Sequence, residues 1–464
     1  MSENNNREML SLGRKIGYGV GDFGANYCWS FVAAFIMIYF TNVLGISAAV
    51  VGTIMMLSKI LDGISDVFMG RIIDRTKSKM GKARFWLFIS SFPLAVSVFL
   101  LFNIPAGFTE NTKYIYIFII YTLMGAVFYT MNNIAYSTLT ALITKNQKER
   151  VTLGSYRFIF ALTALILISS YTMGLVERFG GGQAGWRTVS LIYSVICFIG
   201  LMVPVVAVRE LPESELTEQH ENVPVQGEEA EKEKGGFWKD FALLMRNKYF
   251  IMVLIYYLSY YLFNGIFAGL GIYFSTYCLG NAGLLGIITV ASRIPTIIML
   301  LFVPKLSEQF GVRRTALAGA CVAFGGTLLS YLGGSTGGFT LLLAGMVIKA
   351  FGSAPMTGSL NALIAATDDY SQLKFGKRMT GTIYSCSSIG IKVGTGLGTA
   401  ACGFLLDLGG FDGLAKVQSS TAVNVIHQGY LLSFVFLTVI AVITLYFLKV
   451  EAENDRLRQE RGIM

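Results

Sequence analysis

The chain has 464 residues, of which 54% are hydrophobic, 13% aromatic and only 14% charged, with a mean hydropathy of +0.59. Soluble domains carry about 25% charged residues, so the composition sets aside a soluble globular domain in favour of a polytopic membrane protein. The net charge of +9 does not imply a nucleic-acid partner, because the basic residues are distributed by topology.

The N-terminal MSENNNREMLSLGRK is polar and too mixed for a signal peptide, which leads us to expect a cytoplasmic start. Twelve apolar segments follow, at 19–43, 48–73, 84–104, 114–143, 151–176, 188–208, 248–278, 282–304, 315–333, 338–366, 379–406 and 424–448. With the N-terminus inside, the cytoplasmic segments hold 28 of the 37 Lys and Arg and the outer loops hold four (Lys113, Arg178, Arg187, Lys416). That asymmetry follows the positive-inside rule and places both termini in the cytoplasm.

Eight ionisable residues remain inside the spans. Asp22, at the start of the first, is expected to be a salt-bridge partner near the cytoplasmic face. Asn26, Tyr27 and Trp29 follow it. The second span carries Lys59, Asp62 and Asp66 in the string MMLSKILDGISDVFMG. Asp62 lies about halfway along it, and the spacings of three and four put all three on one helix face. Such charges cost about 2.5–3.5 kcal/mol each at the bilayer centre and persist where they face a bundle interior or a water-filled path.

One lysine cannot neutralise two acids. The pair Asp62 and Asp66 is therefore read as a site for a small cation or a proton, with Lys59 as a partner that tunes them. The alternative is a packing ion pair. Ser65 supplies a hydroxyl between the two aspartates, though not quite on their face. A metal role for Asp62 and Asp66 arises only if the ion is Na⁺.

The fourth span adds Tyr129, Thr130, Asn132, Asn133 and Tyr136. Amides are costly in hydrocarbon unless bonded, and beside aromatic faces they suit a hydroxyl-rich ligand. Interhelical hydrogen bonding is the alternative for each residue singly. Arg157, in the fifth span, either binds ligand or braces the bundle.

Residues 209–247 are the only long hydrophilic stretch, with nine glutamates between Glu210 and Glu233, and read as a flexible linker. This predicts a first bundle over 1–208, a second over 248–449 and a cytoplasmic tail over 450–464. Weak internal repetition supports the division. Gly70-Arg71-Ile72-Ile73-Asp74 follows the second span, and Pro304-Lys305-Leu306-Ser307-Glu308 follows the eighth. Arg150-Val151-Thr152 with Tyr156 matches Arg378-Met379-Thr380 with Tyr384.

In the second half, Arg293 and Lys349 are expected to be structural. Lys392 lies about 21 Å along its helix from Arg378 and has no acid in its own segment, so it meets either an acid from another helix or a ligand oxygen. Gly394-x-Gly396-x-Gly398 follows no strand and reads as close helix packing, not a nucleotide loop. The six cysteines show no C-x-x-C spacing and are expected to be small core fillers. The two histidines, His220 and His427, have no metal-ligand company.

The two halves resemble the major facilitator superfamily, which implies an all-α membrane protein with twelve transmembrane helices in two six-helix bundles. An acid and a base in the 2–3 and 8–9 loops can latch such bundles. More specifically, YGVGDFG (18–24), KILDGISD (59–66), GRIIDRTKSKMGKAR (70–84) and the DY…GKR stretch (369–378) resemble the glycoside–pentoside–hexuronide:cation symporters. The resemblance covers essentially the whole chain.

It implies a symporter of the cytoplasmic membrane that works by alternating access, with no cofactor beyond a coupling Na⁺ or H⁺; a monomer suffices for this architecture, and a membrane-embedded enzyme is disfavoured because the sequence shows no nucleophile–base set, metal cluster or phosphate loop. It further implies that Asp62 and Asp66, with Thr130, form the cation site, and that Asn26, Asn133, Arg157 and Lys392 line the sugar site. Melibiose-type members have acids where Asn26 and Asn133 stand, and an Asn where Ser65 stands. Ala366 and Gln372 also replace acids common in the family. Two acids lost and two bases kept tilt the cargo towards an anion such as a glucuronide. A neutral xyloside or galactoside is the rival.

Overall fold

A backbone in lipid must satisfy its own N–H and C=O groups, so apolar runs of this length form helices. The computed structural model describes residues 10–211, 243–376, 380–415 and 417–461, apart from 106 and 145, and contains no strand among them. Most of the linker and the Arg378–Met379 pair fall outside the described residues, as do the side chains of Arg71 and Asp74 that the expected latch would use.

The first six helices are α1 (Leu12–Asn42), α2 (Ala48–Arg75), α3 (Lys82–Leu101), α4 (Glu110–Leu142), α5 (Gln147–Arg178) and α6 (Gly182–Ala207). Then come α7 (Lys248–Cys278), α8 (Leu284–Leu300, continued as Val303–Phe310), α9 (Val312–Ser335), α10 (Phe339–Gly358, continued as Leu360–Phe375), α11 (Thr380–Leu408), α12 (Ser420–Phe447) and a short α13 (Val450–Glu460). Among the described residues, eleven helices or helix runs are long and apolar enough to cross a membrane, and twelve when bent α8 is taken as one span. α8 turns by 52°, just where Pro304 enters the first turn of its second piece. Proline fits there because that position needs no N–H donor.

The chain forms two compact units. One comprises 1–223 with 271–286 and 403–422, and the other 224–270, 287–402 and 423–464. The first unit thus includes the ends of α7 and α11. Tyr273 meets Thr41 there through a 2.8 Å hydroxyl contact, and Ser47 donates to Asp407 at 3.0 Å.

Inside each unit small residues set the close approaches, since bilayer helices associate by packing. In the first unit a Cβ on Gly24 of α1 would fall 2.8 Å from the Leu201 nitrogen of α6. One turn along, Cys28 and Cys197 are paired as a disulfide with a Cα separation of 6.0 Å. That corrects the reading of all six cysteines as fillers, and their 169-residue separation gave no spacing to notice. In the second unit Gly319 and Gly326 of α9 abut Gly352 and Gly345 of α10, while Gly394 and Gly398 of α11 lie against Leu258, Leu262 and Gly265 of α7. The glycine triplet's neighbourhood is therefore helix packing.

A further repeat emerges in three dimensions. Glu210, just past α6, accepts the N–H groups of Lys82, Ala83 and Arg84 at 2.8–2.9 Å, a carboxylate seated on the positive end of α3. Glu451, just past α12, accepts the N–H of Arg313 at 3.1 Å at the start of α9. Arg84 donates to the Val205 carbonyl of α6, and Arg313 to the Leu445 carbonyl of α12. Each half therefore ties its third helix to the end of its sixth by one acid and one arginine.

Candidate functional site

The first unit brings α1, α2 and α4 together around the intramembrane acids. α4 does not run as a regular α-helix. Its middle, Leu123–Tyr129, is a π-helical turn, and the residue that such a turn inserts rotates everything after it around the helix axis. Thr130 is the first residue beyond it and faces α2. π-turns of this kind recur at functional sites.

Thr130 Oγ1 lies 2.8 Å from Asp62 Oδ1, 3.2 Å from Asp66 Oδ1 and 3.3 Å from the Gly125 carbonyl. A hydroxyl has one hydrogen and can donate to only one of these acceptors at a time. The two carboxylate oxygens nevertheless converge on it. Lys59 Nζ contacts the other Asp62 oxygen at 3.2 Å and lies 3.7 Å from the centre of the Trp29 ring. Trp29 in turn leans on Tyr129 with ring centres 4.7 Å apart.

Thr130, Asp62 and Lys59 are 3%, 5% and 8% exposed, whereas Asp66 is half-buried. One lysine against two aspartates leaves a formal charge of −1, the complement of one monovalent cation. No group of three or more His, Cys, Asp and Glu is gathered for a metal anywhere among the described residues.

Ser65 does not join this set. Its hydroxyl donates 2.9 Å back to the Asp62 carbonyl, the local bond open to a serine within a helix. Trp29 is the residue that sequence reading missed here. It was placed in a ligand lining, and only the spatial meeting of α1 with α2 puts it over Lys59.

A second polar group lies elsewhere in the same unit. Arg157 of α5 pairs with Asp22 of α1 at 3.4 Å and sits over the Tyr136 ring at 4.5 Å, within reach of the Ser137 hydroxyl. Tyr136 stacks on Tyr18 at 4.6 Å and donates to the Tyr18 carbonyl. Asn26 spends one amide hydrogen on the Asp22 carbonyl of its own helix. Asn133 is exposed. Asp22 therefore has its salt-bridge partner, and it is the very arginine read as a ligand residue. Lys392 belongs to the second unit, half-buried on α11.

The shared hydroxyl gives a sharp expectation. Thr130→Val preserves shape but removes a hydrogen bond to charged groups worth about 1.5–3 kcal/mol. Half-maximal activation of uptake by the coupling cation should then need at least about tenfold more cation. An unchanged cation dependence in vesicles would take Thr130 out of the site.

Residues 17–452 match the family described as MFS/sugar transport protein. The chain is 27% identical over 450 residues to the isoprimeverose transporter of Lactiplantibacillus pentosus, covering 96% of this chain and 90% of that one. It is 25% identical over 414 residues to a glucuronide carrier protein homolog of Escherichia coli, covering 87% and 85%. Among solved structures it is similar in fold to the D-xylose-proton symporter, with a TM-score of 0.63, 14% identity and coverage of 94% and 97%. It is also similar to the nucleoside transporter NupG, with a TM-score of 0.65, 14% identity and coverage of 94% and 99%.

Proposed function

Since the chain belongs to the MFS/sugar transport protein family, we propose that it imports an anionic glycoside, a hexuronide, across the cytoplasmic membrane together with one Na⁺ or H⁺, both termini facing the cytoplasm. Its relatives are transporters and not enzymes, and it is a glycoside–cation symporter of the twelve-helix type.

The observation that carries the coupling is the convergence of Asp62, Asp66 and Thr130 on one point beside the Lys59–Trp29 stack. Three oxygens and a net charge of −1 accept a small monovalent ion, and water reaching the half-buried Asp66 can complete a Na⁺ shell or deliver a proton. The cargo assignment rests on Arg157, Lys392, Asn26 and Asn133, with Tyr129 and Tyr136 as aromatic faces. Arg157 spends one long contact on Asp22 and has five N–H donors, so its fork retains donors for a carboxylate.

A second reading is favoured by that same contact. The Asp22 charge offsets the guanidinium, which suits a neutral glycoside hydrogen-bonded by Arg157 and the asparagines. Uptake in vesicles with imposed Na⁺ or pH gradients separates the two. We expect a glucuronide to compete with labelled substrate more strongly than the matching neutral glucoside, and Lys392→Gln to penalise the uronide more. Preference for the neutral glucoside, or equal loss of both ligands in Lys392→Gln, would leave the neutral reading standing. Equal uptake with and without gradients would remove the symport reading altogether.

A further inference from the structure

In the second unit α7, α8, α10 and α12 enclose a cavity of about 50 Å³. Lys349 of α10 lines it and is 7% exposed. The Lys349 ammonium lies 3.1 Å from the centre of the Phe434 ring and 4.8 Å from that of Phe267. Arg293 of α8 lines the same cavity but is exposed, which puts the lysine at the closed end and the arginine on the open side. Neither forms an ion pair among the described residues, although both were expected to be structural charges. Each adds to the other's positive potential, and ring faces alone are weak compensation for a cation taken out of water.

The hydroxyls around them are already committed. Thr296 donates to backbone carbonyls, and so does Ser353. The donors left facing the space are Lys349, Arg293 and the second amide hydrogen of Asn264, whose first goes to the Tyr260 carbonyl. A space of this size holds one or two water-sized occupants and no sugar ring.

The arrangement also mirrors the first half in position and inverts it in charge. Arg293 precedes Pro304 by the same eleven residues that separate Lys59 from Gly70. Where α2 then offers aspartates, α8 offers Thr296 and Leu300. The geometry points to a binding site for one halide-sized inorganic anion, chloride being the abundant example, held by Lys349 from below and Arg293 from the open side. This anion neutralises the buried lysine and stabilises the second bundle. It is separate from the cation site and from any sugar carboxylate.

The test uses the full-length protein in lipid nanodiscs at fixed Na⁺ and ionic strength, with chloride or bromide replacing gluconate. Thermal unfolding should shift upward saturably with either halide, and chloride NMR lines should broaden and be sharpened again by bromide. Both effects should vanish in Lys349→Met, and Arg293→Gln should weaken the apparent halide affinity by about tenfold, as expected for losing one charge-assisted hydrogen bond. If Lys349→Met does not fold, wild-type line broadening together with Arg293→Gln decides the matter. No halide-specific shift in the wild type, or a shift that survives undiminished in both variants, overturns the proposal. Asp62→Asn should leave the halide effect unchanged, which separates this site from failure of the symport reading.

Discussion

Asp62→Asn is expected to abolish accumulation of sugar against its gradient, and to do so more completely than Asp66→Asn. The two aspartates sit on one face of α2 but have different surroundings. Asp62 is 5% exposed and is held on one side by Lys59 and on the other by Thr130. Asp66 is half-buried and shares only the Thr130 hydroxyl among these contacts.

Removing one partner of a buried pair costs about 3–5 kcal/mol, because the remaining charge has no water to return to. In Asp62→Asn Lys59 loses the carboxylate it contacts at 3.2 Å. Its contact with Trp29 is worth about 2 kcal/mol at best, so both cation occupancy and thermal stability should fall. A loss of that size is on the order of a hundredfold or more in occupancy. Asp66→Asn leaves the Lys59–Asp62 pair in place, and is expected to lose concentrative uptake while unfolding closer to the wild-type temperature than Asp62→Asn. A double variant, Lys59→Met with Asp62→Asn, should recover stability without recovering coupling. Concentrative uptake at wild-type levels in either single aspartate variant would defeat the cation-site assignment.

That contrast between the aspartates could not be read from spacing. Their shared face follows from a separation of four residues, and mid-bilayer depth follows from the length of the apolar run. The membrane class, the helix order and the acids themselves were therefore legible in the sequence. Thr130 was legible only as part of a polar lining, and its place beside the aspartates entered through family resemblance, because what turns it towards α2 is the π-turn at Leu123–Tyr129, and the string LMGAVFY contains no proline or repeated glycine to announce a change of register.

Tertiary pairings were harder still. Cys28 with Cys197, Glu210 with the start of α3, and Trp29 with Lys59 each join residues far apart in sequence, and each depends on which helix faces meet. Asp22 was legible as half of a salt bridge, yet its partner was not, since the meeting of α1 with α5 that brings Arg157 to it leaves no mark in the spacing of either helix. The large-scale repeat was visible in loop motifs. The firmer version of it, an acid past the sixth helix of each half capping the third, needed coordinates, because nothing in the sequence around Glu210 or Glu451 says which helix start each carboxylate reaches.

Arg157→Gln and Asp22→Asn together decide whether the arginine is a ligand residue or a brace. The pair is largely buried, with side-chain exposures of 21% and 12%, so losing either member alone should cost about 3–5 kcal/mol in stability, and both single variants are expected to unfold earlier. Stability therefore cannot separate the two roles, but selectivity can. Freed from Asp22, the guanidinium in Asp22→Asn gains uncompensated positive charge, and the preference for a glucuronide over the matching neutral glucoside should rise by about tenfold, as expected for a charge-assisted contact strengthened by 1.5 kcal/mol. Arg157→Gln should move the preference the other way by a similar factor.

The double variant is neutral at both positions. It should regain stability, since no stranded charge remains, yet keep the weakened uronide preference of Arg157→Gln. Had Arg157 only braced α5 against α1, all three variants would leave the ratio of uronide to glucoside uptake where it stands in the wild type, and only total transport activity would change. The Tyr136 ring beneath the guanidinium holds the arginine in place whichever partner it has. A free guanidinium in Asp22→Asn therefore stays over the same ring instead of swinging away, and this is why the gain in uronide preference is expected to be measurable.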